Sequence, residues 1–124
     1  MAVGARAVAN AIAFARRFAE AGALSADAAD RLAVVVEEWT ANIVEHGRAS
    51  AGSRIVLRLE RAGEGVRLVF TDAGVAFDPR TARDKGPNLR RGGGAGIALI
   101  RAWCEIEAYQ RRRGRNRLVL RSRS

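Results

Sequence analysis

The stretch Glu38-Trp39-Thr40-Ala41-Asn42 lies within the segment that decides the fold, a long helical pattern with one broad apolar stripe. Glu38 and Asn42 are four residues apart, so they project from the same side of a helix, while Trp39 leads into the core. An amide oxygen can complete a Mg²⁺ shell made of phosphates and waters, and a neighbouring carboxylate can orient or deprotonate a nucleophile. By spacing alone, a solvated helix face is the alternative interpretation.

Two helices account for the chain up to this point. Apolar residues recur at steps of three and four over 3–21, which predicts a first helix that ends at Gly22. Ser25 is the expected N-cap of the second helix, which runs to His46 and stops at Gly47. As the lone histidine at a helix end, His46 is interpreted as a cap or packing residue.

The remaining pattern predicts a sheet. Alternating apolar residues indicate strands, and a short turn over 61–65 joins the first two into an antiparallel hairpin. The predicted elements are strands 54–60 and 66–71, a long loop 72–94, a helix 95–104, and strands 106–109 and 117–121. Helices on one face of a mixed, mostly antiparallel sheet form a two-layer sandwich of the α+β class.

Two further segments carry polar chemistry. Asp72-Ala73-Gly74 follows an apolar strand, where a carboxylate can accept a hydrogen bond from an exocyclic amino group such as that of adenine. The alternative is an aspartate that caps a turn. Several glycines precede the later helix, so backbone N–H groups and the helix dipole can meet phosphate oxygens, unless these residues are only a flexible linker. They are Gly92, Gly93, Gly94 and Gly96.

Length and composition set the class of protein. The chain has 124 residues, which fits one domain over 1–124, and 48% hydrophobic residues argue against disorder. No apolar run approaches the roughly 20 residues that cross a bilayer, and no export signal is evident. Cys104 is the single cysteine and is interpreted as structural. These features favour a cytoplasmic protein without membrane association.

The net charge of +9 requires a nucleic-acid binder to be weighed as an alternative. Nearly all the positive charge is arginine, which is typical of a GC-rich genome, and Lys85 is the only lysine. Arginines cluster at Arg90-Arg91 and over 111–117. We interpret the second cluster as a solvated turn rather than a docking patch, and we expect no direct contact with nucleic acid.

Three boxes in order resemble the Bergerat-fold ATPases, the GHKL superfamily. Residues 38–47 resemble the N box, 72–79 the first glycine box, and 92–100 the second. The Phe77-Asp78-Pro79 continuation is similar to small bacterial anti-sigma factor serine/threonine kinases. The resemblance covers essentially the whole chain, although Met1 to Val3 is too short for the strand with which that family usually begins.

This resemblance implies roles for individual residues in binding ATP and Mg²⁺. Glu38 would polarise the attacking hydroxyl, Asn42 would hold Mg²⁺ on the phosphates, and Asp72 would recognise adenine. Lys85, Arg90 or Arg91, in a lid over 78–93, would offset charge on the transferring phosphoryl group. The other implied nucleotide contacts are Gly74, Phe77, Gly92, Gly93, Gly94, Ala95 and Gly96.

The resemblance also implies a function. The family phosphorylates a serine or threonine of a STAS-type anti-sigma factor antagonist and sequesters a sigma factor, often as a homodimer. The alternative within the same fold is a non-catalytic module that binds ATP and switches partners.

Overall fold

Three helices and four strands make up the computed structural model, which describes residues 1–4, 6–46, 53–81 and 94–123, without the side chains of 94 and 95. In chain order they are α1 (Ala7–Ala21), α2 (Ala26–His46), β1 (Val56–Ala62), β2 (Gly65–Asp72), α3 (Gly94–Trp103), β3 (Cys104–Arg112) and β4 (Arg115–Ser122). The Ser25 hydroxyl accepts a hydrogen bond from the Ala28 amide (3.1 Å), so the predicted N-cap of α2 is confirmed. Gly47 lies outside the described residues.

The four strands form one sheet in the order β1-β2-β4-β3, and each neighbouring pair is antiparallel. Strand residues alternate between the two faces, so Leu68, Phe70, Leu118 and Leu120 all lie in a core that the helices cover. This confirms the predicted α+β sandwich. Asp72 pairs with Asn116, the second residue of β4, which places the candidate adenine-binding carboxylate at one end of the sheet.

The N-terminal residues add one bridge beyond β1. Ala2 and Arg54 form an isolated antiparallel bridge, and the Val3 amide donates to the Ser53 carbonyl (2.6 Å). Among the described residues that precede α1 no full strand is present, in agreement with the shortness of Met1 to Val3.

The predicted boundaries at the C-terminal end were wrong. Cys104, predicted as the end of a helix, is the first residue of β3, which follows α3 directly and runs to Arg112 rather than ending at residue 109. The segment 111–117 is mostly strand, and only Arg113-Gly114 forms the turn. Charged residues on an edge strand carry no alternation that a sequence pattern can detect, because both of their faces are accessible to solvent.

The end of α1 has a left-handed residue that is not glycine. Gly22 is the C-cap with φ −85°, whereas Ala23 has φ 54°. The Ala23 amide donates to the Glu20 carbonyl (3.1 Å) and the Leu24 amide donates to the Ala19 carbonyl (3.0 Å), which is the Schellman pattern. Gly22 therefore lies one residue before the left-handed position, Ala23, where glycine would be least strained.

We expect Ala23→Gly to stabilise the fold by about 0.5 to 1 kcal/mol, because removing the steric cost of a left-handed alanine outweighs the chain entropy that glycine adds to the unfolded state. Urea unfolding measures the change. The exposed mid-helix variant Ala13→Gly is the control, and it should lower the free energy of unfolding by about 1 kcal/mol. Equal destabilisation by both variants would contradict this interpretation of the helix end.

Candidate nucleotide site

A cleft opens between the C-terminal half of α2 and the ends of β2, β3 and β4. It brings together residues that are far apart in the sequence, because Asp72 ends β2 while Asn42 lies one turn before the end of α2. Its lining residues are Trp39, Asn42, Ile43, His46, Asp72, Val75, Phe77, Tyr109, Asn116 and Leu118. The acid-amide helix and the Asp-Ala-Gly turn of the sequence therefore meet at one site.

Asp72 is buried, with 4% of its surface exposed, and its two carboxylate oxygens have different surroundings. Oδ1 accepts hydrogen bonds from the Gly74 amide (2.8 Å) and from Asn116 Nδ2 (3.1 Å). Oδ2 accepts none from the described residues. A carboxylate oxygen that accepts no hydrogen bond from the described residues is suited to accept an amino hydrogen of a ligand, so the residues present fit an adenine base.

Asn116 holds this arrangement in place, and the sequence analysis missed it. The residue is 6% exposed, and besides Asp72 its Nδ2 donates to the Val75 carbonyl (2.8 Å). Its Oδ1 accepts hydrogen bonds from the Tyr109 hydroxyl and from Arg111 Nη1 (3.2 Å). The available signal was an asparagine two residues before Leu118, on the inward face of a strand whose other inward residues are apolar.

Aromatic side chains form the wall of the cleft next to α2. The rings of Trp39 and Phe77 have centroids 5.9 Å apart and are tilted by 43°. The Phe77 amide donates to the Tyr109 hydroxyl (3.1 Å), which ties the segment after β2 to β3. Trp39 is buried as predicted, and its indole Nε1 has no hydrogen-bond partner among the described residues. An apolar, aromatic wall beside a carboxylate is a suitable surface for a flat base.

Glu38 and Asn42 lie at the other end of the site, where α2 meets the first turn of α3. A Cβ atom added at Gly96 would lie 2.9 Å from Glu38 Oε2, so this carboxylate packs against the backbone of that turn. The Asn42 amide borders the same small gap and accepts or donates no hydrogen bond within the described residues. An amide oxygen next to a helix N-terminus fits a cation held on phosphates.

The start of the predicted lid is fixed to the domain. The Arg80 guanidinium donates to both carboxylate oxygens of Asp78 (2.7 to 3.1 Å) and holds the pKa of that carboxyl below its usual value. Arg101 of α3 donates to the carbonyl of buried Pro79. The rest of the lid lies outside the described residues, including the predicted contacts Lys85, Arg90, Arg91, Gly92 and Gly93, and Gly94 and Ala95 are described only as the backbone that begins α3.

Two other residues with distinctive side-chain chemistry, Cys104 and His46, lie outside the interior of the cleft. Cys104 is buried in the core, and desolvation raises the pKa of its thiol to about 11, so it stays protonated at neutral pH. His46 is the last residue of α2, at the mouth of the cleft. Within the described ranges, no three metal-ligating side chains cluster, and no helix is long and apolar enough to cross a membrane.

The sequence of this chain is similar to those of known proteins. Residues 2–122 match the family described as the histidine kinase-like ATPase domain. The chain belongs to this family. It is also 35% identical over 100 residues to the serine/threonine-protein kinase BtrW of Bordetella bronchiseptica, over 75% of this chain and 69% of that protein. The resemblance to ATPase domains of the anti-sigma factor kinase type is thereby confirmed, and a domain of this family binds ATP.

Within this ATPase domain, we expect Asn116→Ala to lower the free energy of unfolding by about 1 to 3 kcal/mol, because Asp72 Oδ1 loses one of its two donors and the Tyr109 hydroxyl loses its acceptor. Affinity for ATP should fall about tenfold, since the Asp72 carboxylate loses one of the two donors that fix its orientation toward the base. Urea unfolding and equilibrium dialysis with labelled ATP measure the two effects. The control Asn10→Ala, at an exposed position on α1, should change neither, and wild-type affinity in Asn116→Ala would refute the positioning role.

Proposed function

We propose that this ATPase domain is an ATP-dependent protein serine/threonine kinase. The observation that carries the proposal is the position of the Glu38 carboxylate, which packs at the first turn of α3 and lies one helical turn from the Asn42 amide. Asp72 lies at the opposite end of the same site. A base held at Asp72 would direct its phosphates toward α3, so the acid would stand where a phosphoryl acceptor must approach.

Each residue has a defined chemical task in this proposal. Asp72 Oδ2 accepts a hydrogen bond from the amino group of adenine, and the Trp39 and Phe77 rings exclude water from the base. Asn42 would hold Mg²⁺, which supplies charge neutralisation on the phosphates when bound. Glu38 accepts or orients the hydroxyl proton of the acceptor, and backbone N–H groups at the start of α3 meet phosphate oxygens.

The proposed acceptor is a serine or threonine of a STAS-type antagonist, and the proposed second partner is a sigma factor. Support comes from the name of the similar protein, a serine/threonine-protein kinase, and from the Phe77-Asp78-Pro79 segment at the start of the lid. Phosphorylation would release the antagonist by adding negative charge to a packed interface. The chain would then be available to hold the sigma factor.

The test is incubation of the full chain with Mg²⁺, γ-labelled ATP and each STAS protein encoded by the same genome. The proposal predicts label on a serine or threonine of at least one of these proteins, with one ADP formed per phosphate transferred. Glu38→Gln, run in parallel, should transfer label at least about a hundredfold more slowly. ATP binding without label on any of them would support the alternative, a non-catalytic module that exchanges partners.

A further inference from the structure

Four exposed arginines surround the turn between β3 and β4, and we call them the arginine tip: Arg112, Arg113, Arg115 and Arg117. Arg112 and Arg115 pair directly across the hairpin, an arrangement in which like charges repel. The two turn residues, Arg113 and Gly114, have φ of 53° and 75°. These positive values are typical of the two-residue hairpin turn in which Asn-Gly is the favoured sequence. Neither the turn nor the pairing explains why arginine stands at these positions.

The arginine tip also differs from the other arginines of the sheet. Arg67 contacts Glu60 and Glu107 at 3.0 Å each, so that part of the outer sheet face is neutralised. Within the part of the chain that the structure describes, none of the four tip arginines forms an ion pair. The exposed strand acids lie toward the other end of the sheet, because Glu60 pairs with Arg67 near the opposite hairpin. The tip therefore carries uncompensated positive charge.

This charge lies beside the nucleotide cleft. Arg111, next to the tip, donates to the Gly74 carbonyl in the turn that follows Asp72. Two large apolar side chains are exposed at the same end of the sheet, Val56 and Val75, each with 43% of its surface accessible. Val56 pairs with Thr71 on β2, and Thr71 pairs on its other side with Arg117 on β4. The Val75 carbonyl accepts a hydrogen bond from Asn116 Nδ2. Basic and apolar groups thus lie close together at this end of the sheet, with Val56 and Arg117 on either side of Thr71 and Val75 in the lining of the cleft.

We propose that the arginine tip, with Val56 and Val75, docks an acidic and partly apolar face of the protein that receives the phosphoryl group. The identity of that partner as the acceptor rests on the proposed function. A protein surface fits better than nucleic acid for two reasons. Exposed valines gain nothing against a phosphate backbone. The described tip residues also include no exposed aromatic ring on which a base could stack. Docking here would hold the acceptor protein beside the Asp72 end of the cleft, while its serine or threonine reaches the α3 end, where Glu38 lies. The tip itself would not contact ATP.

The test compares two double variants with the same change in charge. Arg113→Gln with Arg115→Gln removes half of the tip, while Arg6→Gln with Arg17→Gln removes two exposed arginines at α1. Calorimetry measures binding of the wild type and both variants to each STAS protein of the genome, and steady-state transfer gives kcat and KM. The tip variant should raise Kd and KM for the acceptor on the order of tenfold, with kcat and the affinity for Mg-ATP unchanged. The α1 variant should match the wild type.

The outcomes separate this proposal from the proposed function. Tip-dependent binding without transfer would overturn the kinase and leave the docking surface standing. Transfer with the same KM in both double variants would overturn the docking surface alone. Docking is also overturned if the wild type binds none of these proteins, or if the tip substitutions weaken only the binding of a duplex DNA probe.

Discussion

Glu38→Gln should lower kcat for phosphoryl transfer by about 10² to 10⁴, the range typical of a lost general base. The amide keeps the size of the carboxylate that packs against Gly96, but it cannot take up the hydroxyl proton of the acceptor. Because Glu38 lies at the α3 end of the site, away from Asp72, the affinity for ATP should stay within about twofold. Single-turnover transfer and equilibrium dialysis measure these two quantities separately.

The matched control is Glu37→Gln, which removes a carboxylate from the neighbouring position of α2, outside the residues that line the cleft. This variant should retain the wild-type kcat. Equal losses of kcat in the two variants would mean that charge on the helix matters and that Glu38 is not the base. Loss of ATP affinity in Glu38→Gln would instead indicate a role in binding.

Asp72→Asn should weaken ATP binding by about a hundredfold, for a reason specific to its hydrogen bonds. Two donors, the Gly74 amide and Asn116 Nδ2, already converge on Oδ1, so the oxygen of the new amide must stay there. Its NH₂ group then occupies the position of Oδ2 and meets the amino group of adenine donor to donor. An unmade charged hydrogen bond costs about 1.5 to 3 kcal/mol, which is a factor of about 10 to 150.

The same substitution should improve the relative binding of GTP, because guanine presents a carbonyl oxygen where adenine presents an amino group. Competition between labelled ATP and unlabelled GTP measures this ratio in the wild type and the variant. Asp27→Asn, at an exposed position in the first turn of α2, is the control and should leave both affinities unchanged. An unchanged ratio in Asp72→Asn would exclude direct contact of this residue with the base.

The parts of this site that follow from local patterns could be predicted from the sequence. The helical spacing of Glu38, Trp39 and Asn42 fixes which side chains face the cleft, and the alternation that ends at Asp72 places a carboxylate at the end of an inward-facing strand. Both patterns are set by residues that lie only a few positions apart in the chain. The α+β class followed from the same periodicities.

The hydrogen-bond network around Asp72 could not be predicted in this way. It depends on the register of β2 with β4, which brings Asn116 to a residue 44 positions earlier in the chain. Tyr109 reaches Asn116 only because β3 extends through a charged edge that has no apolar alternation. Ala23 is a similar case, since the left-handed position is set by where α1 ends rather than by the nearest glycine. The lid contacts at Lys85, Arg91, Gly92 and Gly93 stay predictions.

We propose above all that the cleft binds an adenine nucleotide and that the Asp72 carboxylate contacts the base. Calorimetric titration of the wild-type chain with ATP and with GTP, each with Mg²⁺, tests it most directly. We expect one ATP per chain and GTP binding weaker by at least about a hundredfold, because a carboxylate oxygen faces the edge of the base. Equal affinity for the two nucleotides, or no heat of binding with ATP, would contradict it.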